Sequence, residues 1–201
     1  MTIQLSFNFD LLWNEPQIPP RDCWETPPEI LEIVRSAFAN KAIFTDPCTT
    51  KDNPTNALRF FTPKENGIMQ HWKTNAFINP PYSDPSPWIE AANSQIICGS
   101  IEEAIALVPT ACLGSKRTGK FAKLATAICL WEGRIHFVHP QTGRPAKQTS
   151  FTSAFLYWGK SHSQFEKAFS KHGIVAVLAL SQLSNYLEED YSKRNDKSID
   201  D

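Results

Sequence analysis

The sequence lacks an excess of positive charge: 20 Lys and Arg stand against 21 Asp and Glu, for a net charge of -1. That excludes a globally basic nucleic-acid-binding chain, so any phosphate contacts must come from a local basic face. Paired cysteine spacing is missing too. The five cysteines (Cys23, Cys48, Cys98, Cys112, Cys129) are odd in number and scattered, and no two stand as CxxC. This speaks against a disulfide framework or a zinc site, and free thiols suit a reducing cytoplasm. No apolar stretch approaches the roughly 20 residues that span a bilayer. No basic segment followed by an apolar run marks a signal peptide. The expectation is a soluble, cytoplasmic chain without membrane contact. Internal repeats and low-complexity blocks are absent as well.

What is present is the composition of a globular domain, 41% hydrophobic and 20% charged. A chain of 201 residues supports one core and leaves little room for a large separate recognition domain. Residues 1–20 read as an N-terminal arm, punctuated by Asn14-Glu15-Pro16 and Pro19-Pro20, with Leu11, Leu12 and Trp13 available to dock it. Residues 188–201 read as a flexible charged tail. The domain between them is 21–187.

Inside that domain, Thr26 is placed to cap a helix whose first turn holds Pro27 and Pro28, with Glu29 completing a capping box. Ile30, Leu31, Ile33, Val34 and Phe38 follow near helical spacing. Residues 41–46 (KAIFTD) form a strand ending on an acid. Residues 75–79 (NAFIN) form a second, halted by Pro80-Pro81, and 104–108 (AIALV) a third, halted by Pro109. Helices are expected over 87–97, 119–127 and 164–171. One or two strands are expected around Gly133 in 128–138, and late strands over 153–158 and 174–180. Strands alternating with helices predict an α/β fold, a mostly parallel sheet with helices on both faces. Ligands of such sheets bind at the carboxyl ends of the strands, which singles out Asp46, Asn79 and Thr110.

Asn79-Pro80-Pro81-Tyr82 carries the chemistry. An aromatic amino nitrogen is a poor nucleophile because its lone pair is spread into the ring, and acceptors on its two N–H groups localise that pair. Asn79 Oδ1 can be one acceptor and the Pro80 carbonyl another. The two prolines fix φ and lack N–H groups, so the turn is stiff and holds its acceptors without reorganisation. Tyr82 can stack on a base. Read blandly, the segment is a rigid strand-ending turn with a core tyrosine; its place after an apolar strand favours the chemical reading.

These four residues resemble the signature of amino-methyltransferases that modify adenine N6, some cytosine N4 positions and protein glutamine. The wider chain is similar to the compact phage-type DNA N6-adenine methyltransferases of the Dam family. The matching elements, in the family's order, are Trp24-Glu25-Thr26-Pro27, Asp46-Pro47-Cys48, Phe61-Thr62, Gly67-Ile68 with Trp72, Asn79-Pro80-Pro81-Tyr82 with Trp88, Leu107-Val108-Pro109 and Gly133-Arg134-Ile135-His136-Phe137. The resemblance implies a Rossmann-like methyltransferase fold, S-adenosyl-L-methionine as cofactor, and methyl transfer to N6 of an adenine flipped out of DNA. It puts Asn79, Pro80, Pro81 and Tyr82 at the reaction. Thr26-Pro27, Asp46-Pro47-Cys48 and Asn79 fall on the cofactor side, with Asp46 accepting hydrogen bonds from the methionine ammonium. No metal is implied, since the leaving group is already a cationic sulfonium. The Gly-rich loop common in methyltransferases at large is missing from 49–56, a loss the compact group tolerates.

For DNA, Lys116, Arg117, Lys120 and Lys123 make one basic cluster. Arg134, His136, His139, Arg144 and Lys147 make another. Either can hold phosphate or read bases, and either can be an ordinary solvated face. The segment 141–149 is a candidate recognition loop. His71, His162 and His172 read as surface or helix-end residues. Trp72 and Trp88 read as core beside the catalytic turn, with Trp72 also placed to line a base pocket. Three alternatives stand. One keeps the fold and acts on RNA or protein glutamine. Another is a binding module that keeps the cofactor but has lost turnover. The third is a nucleotide-binding protein, because Gly114-Ser115-Lys116-Arg117-Thr118-Gly119-Lys120 nearly spells a P-loop, although Phe121 replaces the hydroxyl that would hold magnesium. The recognised DNA sequence, a partner restriction enzyme and a homodimer are left open by the sequence.

Overall fold

The computed structural model describes residues 22, 24–140, 142–145 and 151–178. The expected arm (1–20) and tail (188–201) lie outside the described residues, as do Cys23, Gln141 and 146–150, which include Lys147. The described chain runs α1 (Pro28–Ala37), β1 (Thr45–Asp46), β2 (Arg59–Phe60), β3 (Thr74–Ile78), α2 (Ser86–Ile97), β4 (Ile101–Pro109), α3 (Lys116–Ala122), β5 (Ala127–Trp131), β6 (Ser153–Trp158), α4 (His162–Phe169) and β7 (Gly173–Val177). The strands form one sheet in the order β2-β1-β3-β4-β6-β5-β7.

The sheet is covered on both faces, and strand periodicity says how. Phe77, Ile105, Leu107, Ala127, Cys129, Phe155 and Tyr157 point to the side of α1 and α4, where they meet Leu31, Val34, Phe165 and Phe169. Ala76, Ile78, Ala104, Ala106, Val108, Leu156 and Trp158 point the other way, onto Ile89 and Ala92 of α2 and Phe121 of α3. Strands buried on both faces read as near-continuous apolar runs, as in AIALV and SAFLYW.

The sheet is mixed rather than mostly parallel. The β2–β1, β1–β3 and β3–β4 pairs are parallel, while β4–β6, β6–β5 and β5–β7 are antiparallel. The long connection after β5 leaves and re-enters the sheet at the same edge, so β6 runs back between β4 and β5. Alternation in the sequence reveals each strand–helix–strand crossover but not that two crossovers of opposite direction interleave.

Local expectations shift in instructive ways. The capping box does not form: Pro27 is the N-cap of α1 and no side chain caps the helix. Pro27 and Pro28 have no N–H to be capped, and beyond Glu29 the next donors, Ile30 N and Leu31 N, bond to the Pro27 carbonyl. The helix expected over 119–127 starts earlier, at Lys116, because Ser115 Oγ accepts from Thr118 N at 3.0 Å. Gly119 sits inside that helix where a Cβ would lie 2.7 Å from the Leu113 carbonyl. The two-residue β2 carries too little pattern to be seen. No helix among the described residues is long and apolar enough to cross a membrane.

Candidate active site

Strands β1, β3 and β4 end at one edge of the sheet, and β6 begins there, with Ser153 opposite Pro109. Asp46 closes β1. It is 3% exposed, and burial pushes its carboxyl up to about 6. Its Oδ2 accepts from Thr55 Oγ1 at 2.8 Å and its Oδ1 from Cys48 N at 3.1 Å. The following turn is pinned from below. A Cβ on Gly67 would lie 1.7 Å from the Pro47 carbonyl, so only glycine fits there. The Gly67 carbonyl in turn accepts from the buried Trp72 indole at 2.8 Å. The Gly67-Ile68 and Trp72 pattern is thus a buttress under Asp46-Pro47-Cys48, and Trp72, 1% exposed, is core.

Asn79 follows β3 directly. Its Nδ2 donates to the Trp24 carbonyl at 3.1 Å, which commits the amide nitrogen and leaves Oδ1 as the acceptor. Behind it the Cys48 thiol is held well above the usual thiol range by burial, with the Asp46 charge adding to the effect. That sulfur is a neutral wall, not a nucleophile.

A cavity of about 310 Å³ lies between these turns, within the range of small-molecule sites. Of the residues singled out in the sequence, Thr26, Asp46, Pro47, Cys48, Asn79 and Pro81 line it together. Pro27 and Pro80 are buried and do not line it. Thr26 Oγ1 is buried without a hydrogen-bond partner. An orphaned hydroxyl and a desolvated carboxylate on one wall fit a ligand with polar, cationic character. Sequence reading passed over Glu25, Asn66 and Trp88 as lining residues. Glu25 belongs to the Trp24-Glu25-Thr26-Pro27 motif, and burial raises its carboxyl too. Trp88 lines the cavity rather than serving only as core. Asn66 and Thr55 carry no pattern of their own.

Tyr82 lies off the cavity wall. Its ring packs edge-on against Phe137 at 5.7 Å and Phe151 at 5.0 Å. Its hydroxyl is buried without a partner, and so is that of Ser153. Burial raises the phenol strongly, and the Ser153 hydroxyl that faces it, short of a well-formed hydrogen bond, opposes this. Of the basic residues, Lys116, Arg117 and Lys120 are exposed on α3. Arg117 pairs with Asp84 at 3.0 Å, tying α3 to the loop after Tyr82. Arg134 and His136 are exposed while Ile135 and Phe137 between and beside them are buried, so this segment turns one edge to solvent. Lys120 Nζ lies 4.4 Å from the centre of the Phe121 ring, and Gly119 is packed on Leu113. Neither feature suits a phosphate cradle.

The family model described as DNA N-6-adenine-methyltransferase (Dam) matches residues 15–191. A curated protein of Haemophilus phage HP1 (strain HP1c1), named DNA N-6-adenine-methyltransferase, is 26% identical over 132 residues, covering 65% of this chain and 74% of its own length. No solved structure matches.

Proposed function

Because the chain belongs to the DNA N-6-adenine-methyltransferase (Dam) family, we propose that it works at the turn Asn79-Pro80-Pro81-Tyr82, with S-adenosyl-L-methionine held in the adjoining cavity. The protein is a DNA adenine-N6 methyltransferase; it takes a methyl donor, and DNA is its substrate. The observation that carries the site assignment is the Asn79 amide. Its nitrogen is committed to the Trp24 carbonyl, and its oxygen remains as an acceptor beside a cavity walled by Asp46 and Thr26.

S-adenosyl-L-methionine, when bound, supplies an electrophilic methyl group on a sulfonium sulfur. Asp46 takes hydrogen bonds from its amino group, Thr26 offers the orphaned hydroxyl, and Pro47, Cys48 and Trp88 wall the cavity. Asn79 Oδ1 and the Pro80 carbonyl accept from the two N–H groups of the adenine N6 amino group. This draws its lone pair out of the ring and holds the nitrogen in line. Tyr82 supplies the aromatic face for the flipped base. Lys116, Arg117, Lys120 and Arg134 serve phosphate or base contacts on the exposed side. The crossovers through α2 and α3 and the site at the strand ends support a Rossmann-like arrangement.

The test is transfer of labelled methyl from S-adenosyl-L-methionine to DNA free of N6-methyladenine, followed by digestion. Label in N6-methyladenine that disappears in Asn79→Ala, with methyl-donor binding intact, is expected. Near-normal turnover in Asn79→Ala would sink the assignment of the turn. Label absent from DNA but present in RNA or protein would move the substrate.

A further inference from the structure

We propose that the main-chain carbonyl of Trp24, held by a paired hydrogen-bond bridge between Glu25 and Val138, is the positioning group that sets the amide of Asn79. The inference rests on the reading above, in which Asn79 Oδ1 accepts from the adenine amino group.

An asparagine side chain has a broad, nearly two-fold terminal torsion. Left alone, it presents NH2 or oxygen to a neighbour almost indifferently, and an NH2 facing the N–H groups of adenine would repel them. A main-chain carbonyl only accepts. With the Trp24 oxygen 3.1 Å from Nδ2, the flipped amide would set two oxygens against each other, so Oδ1 is directed away from Trp24. The stiff turn fixes the Asn79 backbone, and Trp24 fixes its amide.

Trp24 itself stands outside every helix and strand and needs an anchor. Glu25 N donates to Val138 O and Val138 N to Glu25 O, both at 2.9 Å. The Trp24 ring meets His139 edge-on at 5.2 Å. Val138 is carried by a segment whose Ile135 and Phe137 are each 2% exposed and sit in the core under α1. A contact far from the NPPY turn in sequence therefore runs from the core through Val138, Glu25 and Trp24 to one amide. It also gives the Gly133-Arg134-Ile135-His136-Phe137 pattern a task beside DNA contact.

Position 79 must then both donate and accept. An ionised aspartate there would put a carboxylate against the Trp24 carbonyl, whereas a protonated one donates to Trp24 and presents its other oxygen, as the amide does. The variant Asn79→Asp tests this by pH. Turnover is measured at saturating methyl donor and normalised to wild type at each pH, because Asp22, Glu25, Asp46 and Cys48 line or back the same site, Asp22 also accepts from Ser83 N beside the turn, and His139 touches Trp24. Against wild type, Asn79→Asp should be at least about 100-fold slower at pH 8. It should recover about tenfold per unit as pH falls toward its carboxyl value, one proton's worth. A pH-independent Asn79→Asp overturns the proposal, whether near wild type or inactive at every pH while it still binds the donor. As a second arm, Val138→Pro deletes the N–H given to Glu25 and should lower turnover about tenfold (roughly 1.4 kcal/mol of barrier) with donor Kd within about twofold. Val138→Ile should behave as wild type. A Val138→Pro that raises donor Kd and keeps turnover would show that the bridge only shapes the cavity. Failure of wild type to methylate DNA at all would instead overturn the functional reading.

Discussion

Replacing Asp46 by Asn should make the protein more stable and a poorer binder of its methyl donor. The carboxyl is held at about 6 against an ordinary 3.8, chiefly because it is buried. Ionising it in the fold therefore disfavours the native state by about 3 kcal/mol. The sign follows from proton counts. Between pH 3.8 and about 6 the folded protein holds the proton that the unfolded chain releases, so stability falls as pH rises through that window and is level, as far as this group goes, above and below it. Asparagine keeps the acceptor for Cys48 N and can donate to Thr55 Oγ1, so the local bonds survive. At pH 7 the variant should gain up to about 3 kcal/mol, or about 6–12 °C in Tm for a chain of this size.

Thermal melts of wild type and Asp46→Asn without methyl donor, from pH 4 to 8, read this directly. The gap should be widest above pH 6 and close as pH nears 4. Donor affinity should move the opposite way. For wild type it should be level above about pH 6 and about tenfold weaker at pH 5, where roughly one carboxyl in ten is ionised, while Asp46→Asn should be weak throughout. A variant less stable than wild type at pH 7, or a gap that persists unchanged to pH 4, would refute the idea that a desolvated charge is held here for a ligand.

Tyr82→Phe removes a buried hydroxyl that faces the Ser153 hydroxyl without a well-formed hydrogen bond and should leave stability within about 1 kcal/mol, with transfer kept within a few-fold. Tyr82→Ala strips the ring from Phe137 and Phe151 and should cost about 3–5 kcal/mol, with a much larger loss of transfer; paired melts and DNA-saturation kinetics separate the two. Gly67→Ala drives a Cβ into the Pro47 carbonyl. It should cost roughly 1–3 kcal/mol and weaken donor binding, measured calorimetrically. Lys116→Ala and Lys120→Ala should leave donor binding intact and each lower the salt slope of DNA affinity by about one. Loss of nucleotide binding in Lys120→Ala would reopen the P-loop reading.

Much of the site was legible because it falls at strand ends, where apolar runs stop abruptly on polar residues. Asp46, Pro47, Cys48, Asn79 and Pro81 line one cavity. The paired prolines at 80 and 81 marked the turn unmistakably. What stayed hidden depends on distance in sequence. Thr55 supports Asp46 from nine residues on, and Glu25 meets Val138 across the chain; neither pairing leaves a periodicity. Thr26 was read as a cap because threonine before a helix is the ordinary capping signal, but Pro27 is itself the N-cap and the helix starts at Pro28, one residue later than a box from Thr26 to Glu29 requires. The direction of β6 was illegible for the same reason, since a strand's neighbours are fixed by where its connection re-enters the sheet.

Unpaired polar groups show where this fold gives up stability. Among the described residues, the buried side-chain atoms without a hydrogen bond are those of Thr26, Tyr82, Ser153 and His162. Thr26 lines the cavity, Tyr82 belongs to the turn after β3, and Ser153 opens β6 opposite the end of β4. Each such group disfavours the fold by about 1–3 kcal/mol, and the ionised Asp46 adds a similar amount. The same sheet satisfies its polar groups elsewhere: Tyr157 donates to Glu103 at 2.7 Å, Trp158 to Asn93 at 2.9 Å, and Asn75 accepts from Phe44 N at 2.8 Å. A sequence able to solve the problem at Glu103 and Asn93 leaves it unsolved mainly along the carboxyl edge. Breaches of local rules gathered at one edge of a sheet are what a functional site is expected to leave.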